Sequence, residues 1–113
     1  MEKYMFIFLG GDTSHLSPEA QQAHMQKWFA WVEKLTKQNR YIAGEALHPG
    51  GKTISGSRKA VTDGPYAESK ELVGGFFVVY AKDLAEATEM AKDCPDYDLG
   101  GKVEVREVIK FDM

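Results

Sequence analysis

The 113-residue chain has the length of one domain, and its 43% hydrophobic and 27% charged residues form an ordinary globular mixture. No apolar run approaches the ~20 residues a membrane-spanning helix needs, so a helical integral membrane protein is excluded. The net charge of −3, with lysines scattered singly, offers no basic stripe to neutralise phosphates, which argues against nucleic-acid binding.

From the N-terminus, Lys3 to Leu9 is a dense apolar and aromatic run stopped by Gly10-Gly11-Asp12, which predicts a buried strand. A helix follows. Ser17 suits its cap, Pro18 its first position and Glu19 the positive end of its dipole. Met25, Trp28, Phe29, Val32 and Leu35 recur at helical spacing, and the pattern fades at Gln38-Asn39-Arg40. Tyr41 to Leu47 reads as a second strand.

From His48 to about Leu72 the chain is rich in glycine, serine and proline. Structureless loops beyond ~15 residues are uncommon, so a small hairpin over Lys52 to Thr62, turning near Gly56, is expected within it. Val73 to Tyr80 is the clearest strand. Asp83 and Glu86 then make a capping-box-like start to a second helix, with Leu84, Ala87, Met90, Ala91 and Cys94 on one face and Pro95 as its stop. Val103, Val105, Ile109 and Phe111 alternate with Glu104, Arg106 and Lys110, giving a last strand with one buried face.

The order β-α-β, excursion, β-α-β over residues 1–113 predicts one α+β domain of the ferredoxin-like split βαβ type, both helices on one face of an antiparallel sheet. The other face would carry aromatic and branched residues into water. A second copy is expected to cover it, making a homodimer. Three loops converge at one rim of this plan, residues 10–17, 48–72 and 95–102, with His24 close by.

The run Thr62-Asp63-Gly64-Pro65-Tyr66-Ala67-Glu68-Ser69-Lys70-Glu71, followed by Gly74-Gly75, resembles the signature of the DGPF subgroup of YCII-related proteins, with tyrosine at 66 where phenylalanine is usual. The likeness extends to Gly44-Glu45-Ala46-Leu47, to the helix holding His24 and the tryptophans, and to Cys94-Pro95. It implies a dimeric α+β barrel and an enzyme with a His-Asp pair in a cleft. His24 matches the histidine. Where the related aspartate precedes the proline after the second helix, this chain has Cys94, which leaves Asp63, Asp96 and Asp98 as candidates.

The expectation is that His24 is the acid or base and Asp63 orients it, since imidazole is the side chain that ordinarily titrates near neutrality. Asp63-Gly64-Pro65 is also a turn in its own right. Tyr66 and Glu68 share that loop and, with Trp28 and Trp31, are the candidate substrate contacts, although by residue type the tryptophans also suit core and interface. Cys94 reads as a small buried hydrophobe. His15, His24 and His48 lack the spacing of a metal motif and no glycine pattern marks a nucleotide site, so no metal and no cofactor are expected. A lone cysteine and the lack of an export-type leader pattern point to a reducing cytoplasm. Two readings follow: an enzyme acting on a small organic substrate at the rim, or a non-catalytic dimer that binds a small molecule or protein, as some related domains accompany transcription factors.

Overall fold

A computed structural model describes residues 1–64 and 72–112. The elements are β1 (Glu2–Leu9), α1 (Pro18–Lys37), β2 (Tyr41–Ala46), β3 (Lys52–Ser55), β4 (Ala60–Asp63), β5 (Val73–Ala81), α2 (Leu84–Ala91) and β6 (Lys102–Glu107), with a short 3₁₀ turn over Tyr97–Leu99 before β6. Four strands form an antiparallel sheet in the order β2-β5-β1-β6, while β3 and β4 pair only with each other. This is the ferredoxin-like α+β plan.

Alternation along the central strands sorts the residues between the two faces of the sheet. Tyr4, Phe6 and Phe8 of β1 and Phe77, Val79 and Ala81 of β5 are buried beneath the helices, where they meet Trp31 and Leu35 of α1 and Ala87 and Ala91 of α2. Phe6, Leu35 and Val79 are the largest fully enclosed side chains, each contributing roughly 1.5–3 kcal/mol by leaving water. On the opposite face Met5, Ile7, Phe76, Val78 and Tyr80 are half-buried, and neither helix lies over them.

The helix ends follow the local chemistry. The Ser17 hydroxyl accepts from the Ala20 N–H at 3.1 Å, and α1 stops where Asn39 takes a left-handed φ of 58°. The Asp83 carboxylate accepts from the Glu86 N–H at 2.9 Å. Glu86 does not complete the expected box with Asp83. Its carboxylate instead takes the Lys82 N–H at 2.8 Å and the Arg40 guanidinium, tying the end of α1 to the start of α2. Arg40 beside it holds the Glu86 carboxyl below its usual range.

The expected hairpin is present, with Ile54 opposite Val61. The last strand is shorter than its alternation suggests. It ends at Glu107, and Ile109 and Phe111 are more than two-thirds exposed. Among the described residues β1 is its only strand partner and begins at Glu2, so after Val108 N–H donates to Lys3 C=O at 2.9 Å the ladder ends.

Candidate functional site

His24 and Trp28 are four residues apart on α1, so both project from one face of the helix within a turn of each other. Opposite them the chain leaving α2 passes Pro95 and folds tightly at Asp96, whose carbonyl accepts from both Leu99 N–H at 2.9 Å and Gly101 N–H at 3.0 Å. That turn aims the Asp96 side chain back at α1. His24 Nε2 donates to Asp96 Oδ1 at 2.6 Å, and Trp28 Nε1 donates to the same oxygen at 3.2 Å. With the Asp96 carboxylate as acceptor, Nε2 is the ring nitrogen that donates. Both side chains are largely out of water, 12% exposed for His24 and 17% for Asp96.

Two glycines make room for this carboxylate. A Cβ on Gly101 would stand 2.7 Å from Asp96 Cβ, and one on Gly11 would run into Asp96 Oδ2, at a position where φ is +81°. The Asp12 N–H donates to Leu99 C=O at 3.3 Å, so the loop after β1 and the loop after α2 are fastened together around Asp96. Oδ2 has no hydrogen-bond partner among the described residues.

Asp96 and Trp28 border a cavity of about 870 Å³ between α1, the C-terminal end of β2 and the rim loops. His24 does not border it and stands behind Asp96. The inner wall is aromatic. Phe8 meets Trp28 edge-on at 4.8 Å and Phe77 at 4.9 Å, and Tyr41 meets Phe77 at 5.3 Å. The Tyr41 hydroxyl lies over Gly44, where a Cβ would come within 2.6 Å of it. Burial, and then the negative charge of Glu45, raises the Tyr41 phenol above its usual range and keeps it a neutral donor.

The expected residues divide three ways. His24 and Trp28 are brought together, with Asp96 as the carboxylate between them. Asp63 is not at His24. It sits on β4, 85% exposed and ion-paired with Lys52, because β3 and β4 form a separate two-stranded arm whose own ladder carries Asp63 away from the sheet. Trp31 is corrected as well: at 4% exposure it is a core residue, stacked against Phe6, and it does not border the cavity. Its place three positions after Trp28 turns it under the sheet. Tyr66 and Glu68 lie outside the described residues.

Cys94 is buried and its thiol is pushed up to about 11 by desolvation, which leaves it neutral and unreactive at ordinary pH. Among the described residues no group of three His, Cys, Asp or Glu side chains has metal-binding geometry, and no helix is long and apolar enough to cross a membrane. Tyr41, Gly44, Gly11 and Gly101 were not read from sequence as site residues. The available signal was the pair of Gly-Gly steps, 10–11 and 100–101, on either side of a helix-ending Pro95-Asp96.

A family model described as the YCII-related domain matches residues 3–112. No curated protein matches the chain. Among solved structures, the chain is similar to 5-chloro-2-hydroxyhydroquinone dehydrochlorinase (TftG) from Burkholderia phenoliruptrix AC1100, determined in complex with 2,5-dihydroxybenzoquinone. The match has a TM-score of 0.45 and 16% identity, over 95% of this chain and 93% of that one.

Proposed function

The chain belongs to the YCII-related family, and from that premise we propose that it is a small enzyme that carries out acid–base chemistry on a compact organic substrate in the rim cavity. Asp96 is the group that meets the substrate in this reading. His24 and Trp28 position it. The supporting observation is the convergence of two N–H donors on Asp96 Oδ1 while Oδ2 has no described partner and the residue borders the cavity. A carboxylate fixed in this way can accept a substrate proton or hydrogen bond at Oδ2 without reorganising. The acid or base role expected of His24 therefore passes to its partner, and the imidazole supplies a fixed donor.

Within the family we assign the chain to the DGPF subgroup, on the run Thr62 to Glu71 and Gly74-Gly75. We also infer a homodimer closed over the helix-free face, because no helix of the chain covers Met5, Ile7, Phe76, Val78 and Tyr80. A reducing cytoplasm suits its single buried thiol.

A non-catalytic binding module is the second reading, and what favours it is the aromatic, mainly apolar wall of the cavity, which holds a ligand as readily as a substrate. A thermal-shift screen of the wild type and Asp96→Asn against a metabolite library tests both. Ligands that stabilise the wild type and lose that effect in Asp96→Asn are expected, because binding to the native state raises its stability by mass action. Turnover of such a hit identifies the enzyme, and binding without turnover identifies the module. Hits that stabilise both proteins equally would remove Asp96 from the site.

A further inference from the structure

Among the described residues that border the cavity, the carboxylates are three and His48 is the one side chain able to carry positive charge. Asp12 and Glu45 join Asp96 around it, and among the described residues that border it there is no lysine or arginine. Asp12 stays ionised, because hydrogen bonds from Ser14 hold its carboxyl below the usual range. Between these carboxylates the surface is aromatic: Phe8, Trp28, Phe29, Tyr41 and Phe77. Aromatic faces attract cations through their quadrupole and repel anions, and carboxylates at an apolar recess concentrate that preference. A carboxylate substrate would meet three like charges and no described lysine or arginine.

We propose that the ligand of this cavity is an organic ammonium ion, an apolar body of about one ring in size whose cationic nitrogen faces Asp96, in the field of Asp12 and of Glu45 at the sheet edge, while the body lies against Trp28 and Phe77. This deepens the functional reading and rests on the cavity being the site. Asp96 Oδ2 is the acceptor open to an ammonium N–H, because Oδ1 is already taken by His24 and Trp28.

The test uses three probes of one skeleton, 2-phenylethylammonium, 2-phenylethanol and 3-phenylpropionate, titrated calorimetrically into the full chain at pH 7 and low salt. The ammonium should bind at least about tenfold more tightly than the alcohol, and the propionate most weakly. Glu45→Gln, a change at an exposed strand position, should weaken the ammonium about threefold or more and leave the alcohol unchanged. Equal or tighter binding of the alcohol or the propionate would overturn the cationic ligand and leave the cavity standing as a site. Equal weakening of ammonium and alcohol by Glu45→Gln would also overturn it. If no probe binds at millimolar concentration, both the cavity reading and the cationic ligand fall.

Discussion

At the scale of single residues, the site depends on one carboxylate whose partners lie 72 and 68 positions away in the chain. Removing the side chain in Asp96→Ala leaves the His24 and Trp28 donors in a partly buried place without an acceptor, which costs about 1–3 kcal/mol. Asp63→Ala removes an exposed ion pair and should stay within about 0.5 kcal/mol of the wild type. Urea unfolding of the two variants checks the contrast, and equal losses would contradict it. His24 was legible as a candidate from its match to the family's histidine, and Trp28 as a candidate contact on the same helix. Asp96 was legible only as one of three loop aspartates. A local pattern records that Pro95 ends a helix, but which way the next carboxylate turns is decided by Gly101 and by Gly11 from a distant loop. Asp63 misled for the same reason: its Asp-Gly-Pro turn is clear in sequence, whereas the departure of its hairpin from the sheet is a tertiary fact.

At the scale of elements, the strands and helices were readable wherever caps and periods agreed, as at Ser17-Pro18 and Asp83, and the hairpin was readable from glycine and loop length. The last strand was overextended because an alternating pattern gives the face of a strand and says nothing about where its neighbour ends. The joint between α1 and α2 was also hidden, since Arg40 and Glu86 are 46 residues apart. Its pH dependence has a definite sign. Glu86 is held below its ordinary value of 4.5, first by the hydrogen bond from Arg40 and then by the Lys82 N–H. The folded state therefore favours the ionised form, so the contribution is fully present above pH 4.5 and fades as pH falls below it. Thermal unfolding of the wild type and Glu86→Gln should differ at pH 7 and converge toward pH 3, whereas a gap that widens on acidification would contradict the joint.

At the scale of the whole molecule, one chain exposes more surface than it should keep. Its accessible area is 8270 Å², whereas a compact monomer of 12.6 kDa has roughly 6200 Å². Its radius of gyration is 15.8 Å, against ~13 Å for a compact domain of this length. The excess of about 2000 Å² is more than the ~800 Å² that a stable interface removes from each partner. Light scattering at micromolar concentration should give twice 12.6 kDa, and a monomer mass would contradict the covered sheet face. The claim that organises the site is that Asp96, and not Asp63, is the carboxylate that holds His24. Ring ¹⁵N NMR of His24 in the wild type, Asp96→Asn and Asp63→Asn, all folded and at one pH near 8, tests it most directly. The expected result is a wild-type ring with its proton on Nε2, ring resonances displaced in Asp96→Asn, and a spectrum unchanged in Asp63→Asn. Resonances that ignore Asp96→Asn, or that move with Asp63→Asn, would contradict it.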